Sequence, residues 1–302
     1  MALSNVRSMP YSLGGTVFGS GKPVMVGSVF YKSDKKVKDH RSGEIDEAAL
    51  GTELKEVRAL EETVGLSHAF DVIAETPAAM ERYLTLLSEG TENPLLIGGL
   101  DEKTRVAGYK KAKDLNIQGR CGVNSIGTGT SDDELSSLRE SGIKFAVLQT
   151  LEPSSVYPEE KTKLLKDKLL GMCERGGIEM AAVDVGIIDF TSTWLAGESI
   201  RRVKSELGLP AGCAPSNAAY QPLVSGRITR ESARSINVAL CTIVQMAGAD
   251  FLLYGPLKAS GYLFEAAAVV EGIKAYGERV SGQSKGRPDR SHPLYKFLPK
   301  LM

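Results

Sequence analysis

The chain has 302 residues, which is long enough for one large α/β barrel or for two smaller domains. Its 42% hydrophobic and 25% charged residues are ordinary for a globular protein, and 37 basic residues balance 37 acidic ones. The zero net charge gives no electrostatic sign of binding to nucleic acid or to an anionic membrane. The N-terminus lacks the apolar segment of a signal peptide, and no run is long enough to span a bilayer. We therefore predict a cytoplasmic protein without membrane insertion.

Eight short apolar runs alternate with longer amphipathic segments along the chain. The runs have the length of buried parallel strands and cover residues 23–30, 69–75, 94–100, 119–125, 144–150, 179–187, 211–217 and 250–256. Helical periodicity or capping signals mark residues 46–65, 77–90, 131–142, 158–176, 193–207, 229–248 and 261–280. This alternation predicts a single (β/α)8 TIM barrel over residues 1–302, with residues 281–302 as a C-terminal extension packed on the barrel.

A doubly wound open sheet is the alternative that the same alternation allows. Such a sheet normally carries a phosphate-binding glycine fingerprint after its first strand, and the segment after residues 23–30 does not contain one. Residues 127–133 read GTGTSDD, which includes Gly-x-Gly but lacks the third glycine. The barrel is therefore the preferred interpretation.

Cysteine and histidine usage argues against a bound metal. The four cysteines are far apart in sequence and form no C-x-x-C pair, so we expect them to be reduced thiols packed as small hydrophobic side chains. The chain has only three histidines. This scarcity argues against a histidine-ligated metal and against a Ser-His-Asp hydrolase.

Polar side chains stand at or near the ends of five predicted strands. In such barrels the functional groups lie at the carboxyl ends of the strands. The candidates in chain order are Glu75, Asn124, Gln149, Asp184, Ser216 and Asn217. Asp71 stands inside the second run, Ser125 follows Asn124, and Tyr254 is near the end of the eighth run. Amides and carboxylates together suit a flat, nitrogen-rich heterocycle such as a pterin or a purine. We see no arginine or helix-opening glycine cluster near the last two strands, which argues against a sugar phosphate. A structural role in fixing the barrel loops remains the alternative.

Several segments resemble a known family over nearly the whole chain. They are VMVGSVFYKSDKKVKDHRSGEIDEAA (24–49), FDVIAETPAAMERYL (70–84), VNSI (123–126), VDVGII (183–188), GLPAGCAPSNAAY (208–220) and QMAGADFLLYGPLKASGYLFEAAAVVEG (245–272). These resemble the H subunit of tetrahydromethanopterin S-methyltransferase, and most closely its bacterial relatives, the methylcorrinoid:tetrahydrofolate methyltransferases. More distantly, they are similar to the pterin-binding methyltransferase superfamily.

The resemblance implies a pterin-binding barrel that is often a homodimer. The implied enzyme moves a methyl group between a methylcobamide, carried by a partner corrinoid protein, and N5 of tetrahydrofolate, the methyl acceptor. Asn217 matches the position near N5 of the pterin. Asn217 and Asp184 are the predicted catalytic residues. Asp184 and Asn124 match positions that hydrogen-bond the pterin ring, and Glu75 matches an acidic position of less defined role. Ser216 and Gln149 complete the predicted pterin site.

One departure from the family pattern concerns the third predicted strand, and a separate observation concerns the corrinoid. Relatives tend to carry an acidic residue where this chain has Gly98 and Gly99, and Asp101 is a possible substitute. A corrinoid site of the Asp-x-His-x-x-Gly type is not expected, because Lys38 stands at the aspartate position before His40. Two alternative functions stay open. One is an archaeal-type H subunit acting on tetrahydromethanopterin, and the other is a non-catalytic folate-binding or scaffold barrel.

Overall fold

Eight parallel strands close into a barrel in the computed structural model, which describes residue 6, residues 8–283 and residues 288–300. The strands of the described residues are, in chain order, β1 (Tyr11–Leu13), β2 (Thr16–Phe18), β3 (Val24–Val29), β4 (Val37–Asp39), β5 (Glu44–Ile45), β6 (His68–Ala74), β7 (Leu95–Gly99), β8 (Cys121–Ile126), β9 (Phe145–Gln149), β10 (Met180–Asp184), β11 (Ala211–Cys213) and β12 (Phe251–Pro256). The barrel strands β3 and β6 to β12 pair in the order β10-β11-β12-β3-β6-β7-β8-β9. This closed sheet confirms the predicted TIM barrel.

Helices follow each barrel strand and cover the outside of the sheet. They are α1 (Glu47–Val64), α2 (Pro77–Gly90), α3 (Glu102–Asp114), α4 (Asp132–Ser141), α5 (Pro158–Leu164), α6 (Leu170–Gly176), α7 (Thr193–Leu207), α8 (Pro215–Val224), α9 (Arg230–Met246), α10 (Ser260–Val280) and the short α11 (Pro293–Lys296). A π-helical turn at Leu165–Leu169 joins α5 to α6. Side-chain caps fix several helix starts. At the start of α2, for example, the Thr76 hydroxyl accepts from the Ala79 N–H, and Pro77 occupies the first helical position.

A hairpin that was not predicted from the sequence closes the amino-terminal end of the barrel. It consists of β1 and β2, and its buried Phe18 ring packs 4.9 Å from Phe145 and 6.5 Å from Phe251, ring centre to ring centre. The Tyr11 hydroxyl donates to the carbonyl of Ala181. Phe145, Phe251 and Ala181 stand at the beginnings of their strands. With this end filled by aromatic side chains, the open mouth is at the carboxyl ends of the strands.

The seventh predicted strand is shorter than expected, and a helix that was not predicted follows it. Residues 211–217 read as one strand, but β11 ends at Cys213 and α8 begins at Pro215. Proline at the first helical position fixes its own φ in the helical range and has no N–H to lose. Ser216 and Asn217 therefore belong to the first turn of a helix at the barrel mouth, rather than to a strand end.

The helix α3 was also absent from the predicted elements. Its buried face is formed by Thr104, Gly108, Tyr109 and Ala112. Only one of these is large and apolar in character, so the segment shows no clear apolar stripe. Its position is held by the buried carboxylate of Glu134 on α4, which accepts from Arg105 at 2.6 Å and from the Tyr109 hydroxyl at 2.8 Å.

The described part of the predicted C-terminal extension lies against the helices that flank the barrel. Phe297 is buried, and the Lys296 ammonium donates to the carbonyl of Glu62 at 2.9 Å. Residues 284–287 and 301–302 of the predicted extension lie outside the described residues. Across the helices of the described ranges, none combines the length and the apolar character needed to cross a membrane.

Candidate functional site

A cavity of about 740 Å³ opens at the barrel mouth between the segments that follow β3, β11 and β12. Ser28, Ser216, Asn217 and Tyr220 contribute to its wall. Asn217 is exposed, and within the described part of the chain its side-chain amide has no hydrogen-bond partner. An amide that serves no structural bond is free to contact a bound molecule.

Ser216 has a structural bond in addition to its place on the cavity wall. Its side chain is only 6% exposed, and its hydroxyl donates to the carbonyl of Leu253 in the neighbouring strand β12 at 3.1 Å. This bond anchors the first turn of α8 to the barrel and sets the direction in which Asn217 points. Ser216 therefore positions its neighbour.

A buried carboxylate links the cavity to the interior of the mouth. The Asp71 oxygens accept from the Ser28 hydroxyl and from the Asn124 amide, both at 2.9 Å. Asp71 is 5% exposed, and burial raises the pKa of its carboxyl although both hydrogen bonds oppose this rise. Ser28 lines the cavity directly. The predicted residue Asn124 thus reaches the cavity through Asp71, which was noted inside the second predicted strand but was not assigned to the site.

Asp71 also accounts for the glycine found where relatives tend to carry an acid. A Cβ atom placed on Gly98 would lie 3.1 Å from an Asp71 carboxylate oxygen and 3.4 Å from the carbonyl of Asn124. An acidic side chain at position 98 would compete for the space that Asp71 fills from the next strand. Asp101 does not replace it, because its carboxylate accepts from the Thr104 N–H at 2.8 Å as the N-cap of α3.

Asp184 is the second buried carboxylate of the mouth. It ends β10, is 5% exposed and accepts from the Gly186 N–H at 2.8 Å. Burial raises the pKa of this carboxyl to about 6, and the charge of Asp71 adds to the rise. The Gly186 bond and the buried ammonium of Lys161 act in the opposite direction. Asp184 and Asp71 therefore interact electrostatically in one poorly solvated region.

The Lys161 ammonium is held close to this region by backbone carbonyls. It donates to Ser155 at 2.7 Å and to Thr150 at 3.5 Å, and burial lowers the pKa of the amine. The Thr150 hydroxyl donates in turn to the Asp184 carbonyl at 3.0 Å. A cation fixed in this way favours the ionised form of Asp184 without contacting it.

Like Asn124 and Asp184, the predicted site residues Gln149 and Glu75 are not part of the cavity wall. The Gln149 amide oxygen accepts from the Leu151 N–H at 3.1 Å and so shapes the turn after β9. Glu75 follows β6 and is half-buried, and its charge contributes to the raised pKa of Tyr83. The binding roles of both residues remain predictions. Gln149 ends β9 and Glu75 follows β6, so both stand at the mouth end of the barrel without lining the cavity.

One exclusion made from the sequence was wrong. Arginine was not expected near the last two strands, but Arg230 and Arg234 on α9 line the cavity together with Lys258, which follows β12. The two arginines were missed because they stand far along the chain from the strand ends that served as the guide. The barrel brings α9 beside β12.

The arrangement is suited to recognising a polar, flat molecule. Two buried carboxylates can accept from ring N–H groups, and the amides of Asn124 and Asn217 can both donate and accept. Among residues 8–283 and 288–300, no group of three or more His, Cys, Asp or Glu side chains is placed to hold a metal ion.

Comparison with known proteins identifies related sequences over almost the full length. The family described as "Tetrahydromethanopterin S-methyltransferase MtrH subunit" matches residues 9–283. The H subunit of this methyltransferase from Methanothermobacter thermautotrophicus is 27% identical, over 95% of this chain and 96% of the relative. The corresponding protein from Methanococcus vannielii is also 27% identical, over 97% and 98% of the two chains.

Solved structures with the same fold include dihydropteroate synthases. The Yersinia pestis enzyme with a pterine-sulfa conjugate has a TM-score of 0.64 at 14% identity, covering 89% of this chain and all of the other. The Vibrio fischeri enzyme has a TM-score of 0.62 at 14% identity, with 92% and 100% covered. At this level of identity the likeness establishes the barrel fold alone.

Proposed function

Because the chain belongs to the family of tetrahydromethanopterin S-methyltransferase MtrH subunits, we propose that it transfers a methyl group between a corrinoid and N5 of a reduced pterin. One observation carries the proposal beyond family membership. A free amide, Asn217, faces a cavity that is connected through Ser28 to a buried carboxylate and a second amide. The proposed pterin lies in this mouth, with its ring edge toward the carboxylates and N5 toward Asn217.

The buried carboxylates are the proposed anchors of the pterin ring. A reduced pterin presents an amino group and a ring N–H on one edge, and an ionised carboxylate accepts such a pair of donors well. Asp184 keeps a free oxygen after its bond to Gly186, and Asp71 is held in place by two donors. Asn124 adds an amide beside Asp71. We assign ring recognition to these three side chains.

Asn217 is the proposed catalytic residue, acting at the nitrogen that carries the methyl group. In the methylating direction the N5 lone pair forms the N–CH3 bond while the Co–CH3 bond breaks, its electron pair stays with cobalt, and N5 releases its proton. The chain supplies orientation, exclusion of water and hydrogen bonds to N5 rather than a covalent nucleophile. In the reverse direction the same amide stabilises N5 as it gains positive character.

The identity of the pterin is the point at which the comparisons change the sequence-based expectation. Tetrahydrofolate was the first expectation from the sequence, whereas the curated relatives are named for tetrahydromethanopterin. The two share the reduced ring and N5, and they differ mainly in the tail. Tetrahydromethanopterin is therefore the pterin that the relatives favour, and tetrahydrofolate is the one to test beside it.

A partner corrinoid protein is proposed to deliver the methyl group to the mouth. Support comes from exposed apolar side chains in the segment after β10, where Ile188 is 54%, Phe190 42% and Trp194 68% exposed. Such side chains at the rim of a site are typical of protein contacts.

A homodimer is also proposed. Ile243 and Met246 on α9, with Ile273 and Tyr276 on α10, leave apolar surface exposed on the outside of the barrel.

Two assays separate the proposal from a scaffold that only binds a pterin. Anaerobic titration calorimetry with tetrahydromethanopterin and with tetrahydrofolate measures binding of each. Loss of the methylcobalamin spectrum on addition of protein and pterin measures transfer. The proposal predicts binding and transfer with at least one of the two pterins. Binding without transfer, even with the methylated corrinoid on its carrier protein, supports the scaffold. The absence of binding to either pterin contradicts both.

A further inference from the structure

The cavity at the barrel mouth has an uncompensated positive charge on one side. Its charged lining residues are Arg230, Arg234 and Lys258, and no described aspartate or glutamate lines it. None of the three has an ion pair or a hydrogen bond to another side chain or to backbone within the described ranges. The chain as a whole balances 37 basic against 37 acidic residues, so this local excess does not follow from composition.

Aromatic side chains fix the position of the Arg234 guanidinium on the cavity wall. Its guanidinium lies 5.0 Å above the centre of the Tyr262 ring, and the Tyr262 hydroxyl is 3.0 Å from that of Tyr220. The stacking restricts the side chain while leaving the guanidinium N–H groups free to donate. Tyr220 and Tyr262 line the same cavity, so the whole arrangement faces it.

Nearby acidic groups form no ion pair with these cations within the described residues. A second cavity of about 370 Å³ is also lined by Arg230 and Lys258, and its wall includes Asp34, Asp46 and Glu53. Asp34 and Glu53 both pair with Lys36, at 2.5 and 2.7 Å. Asp46 caps α1 by accepting from the Ala49 N–H. Asp34 and Glu53 therefore share one ammonium, and none of the three carboxylates forms an ion pair with Arg230 or Lys258 in the described structure.

The position of the three cations matches a place where barrels bind anions. Arg230 and Arg234 follow the seventh barrel strand β11, and Lys258 follows the eighth, β12. Phosphate groups in such barrels are frequently bound by the segments that follow these two strands. Guanidinium groups are well suited to both carboxylates and phosphates.

We propose that Arg230, Arg234 and Lys258 form a subsite for the anionic tail of the reduced pterin. This inference rests on the proposed function, which puts N5 beside Asn217. In a reduced pterin the tail leaves the ring at C6, the carbon bonded to N5. Asn217 and the three cations line one cavity, so a tail that starts near Asn217 runs toward them. The tails of tetrahydrofolate and tetrahydromethanopterin both carry anionic groups.

The test compares a tailed pterin with a tail-less one. The variant combines Arg230→Gln, Arg234→Gln and Lys258→Gln, and the control is Arg227→Gln, which removes an exposed charge in the α8–α9 loop outside the cavity wall. Titration calorimetry measures the Kd of tetrahydrofolate and of 6-methyltetrahydropterin for each protein. We expect the triple variant to raise the Kd of tetrahydrofolate about tenfold, because each exposed charge pair contributes only modestly. The Kd of 6-methyltetrahydropterin should stay within about twofold of the parent value.

The outcomes separate this inference from the proposed function. Equal weakening of both ligands, or of neither, would overturn the tail subsite while leaving pterin binding by the parent intact. An unchanged Kd of tetrahydrofolate together with a raised KM for methylcobalamin would also overturn the tail subsite. The three cations would then bind an anionic group of the corrinoid instead of the pterin tail. If the parent binds neither of these two ligands nor tetrahydromethanopterin, the proposed function itself fails. Selective weakening of tetrahydrofolate that disappears at high salt would support the tail subsite.

Discussion

The carboxylate of Asp71 occupies the space beside Gly98, on the strand next to its own. Asp71 in β6 and Gly98 in β7 belong to neighbouring parallel strands of the barrel, and a Cβ atom on Gly98 would approach the Asp71 carboxylate to 3.1 Å. The same carboxylate accepts from Ser28 and Asn124. The hydrogen-bonded position of the Asp71 carboxylate thus depends on the space that Gly98 leaves on the next strand.

Gly98→Ala should displace the Asp71 carboxylate. The added methyl would approach the Asp71 carboxylate and, at 3.3 Å, the carbonyl oxygen of Val72. Because the Val72 carbonyl belongs to the backbone of β6, the Asp71 side chain is the group that must move. We expect a loss of about 1–2 kcal/mol in the free energy of unfolding, as for other insertions into packed regions, and a pterin Kd raised severalfold. Urea denaturation and calorimetry measure the two effects.

Gly127→Ala is the matched control for the Gly98 variant. It follows β8 at the same end of the barrel, and its only described neighbour within 4 Å of an added Cβ is the Gln149 Cβ at 3.9 Å. This variant should retain the parent stability and affinity. If Gly98→Ala and Asp71→Asn both bind the pterin with the parent Kd, Asp71 has no part in ring recognition.

Asp184→Asn should change how stability depends on pH. Burial raises the pKa of Asp184 to about 6 in the folded protein, so the folded state binds this proton more tightly than the unfolded state does. The contribution of this group to stability is therefore fully present below its unfolded pKa and is lost as the pH rises through about 6. A pKa change of one corresponds to about 1.4 kcal/mol, so the loss is roughly 3 kcal/mol.

The difference between parent and Asp184→Asn isolates this group from other carboxyls. Urea denaturation between about pH 4 and pH 7 should show the variant gaining stability relative to the parent as the pH rises. The asparagine oxygen can still accept from the Gly186 N–H. A difference that is flat across this range would show that Asp184 does not titrate there, and the assigned burial effect would be wrong.

Trp194→Ala should weaken contact with the corrinoid carrier without affecting the chemistry. Trp194 is 68% exposed near the start of α7, at the mouth rim. We expect the KM for the methylated carrier protein to rise about tenfold, since aromatic anchors contribute strongly to interfaces, while the rate with free methylcobalamin stays at the parent value. Tyr295→Ala is the control, because Tyr295 is 42% exposed on α11 and belongs neither to the mouth rim nor to the proposed dimer surface. Equal effects of the two variants would argue against docking at this rim.

The barrel itself could be predicted from sequence because its signals are local and repeated. Each buried strand is a short apolar run, and caps such as Thr76 and Ser131 mark helix starts within a few residues. The strand at 211–217 was extended too far because AGCAPSN carries no charge. The proline that begins α8 was interpreted as part of the strand end instead of as a helix start.

The site was harder to predict because part of it is made by contacts between strands. Asn124, Asp184 and Asn217 were found as polar residues at strand ends. Asp71 was noted inside its strand but was given no role, because it stands before the strand end that served as the guide. The cations on α9 carry no sequence signal at all, because their relation to the cavity depends on how that helix packs beside β12.

The most direct test of the central claim follows a labelled methyl group in the parent and in Asn217→Ala. Because the Asn217 amide has no partner in the described structure, the variant should melt with the parent. Loss of a hydrogen bond to N5 should cost about 1.5–3 kcal/mol of transition-state stabilisation, a fall of roughly one to two orders of magnitude in rate. Gln221→Ala, one turn along α8 on the same cavity, should keep the parent rate.

The measurement is NMR of a reaction that contains 13C-methylcobalamin, protein and either tetrahydromethanopterin or tetrahydrofolate. We predict that the label moves from cobalt to N5 of at least one pterin with the parent, and that transfer is roughly one to two orders of magnitude slower with Asn217→Ala. Folded Asn217→Ala protein that transfers the label at the parent rate would contradict the role of this amide. Folded parent protein that moves no label to either pterin, with free or carrier-bound corrinoid, would contradict the proposed function.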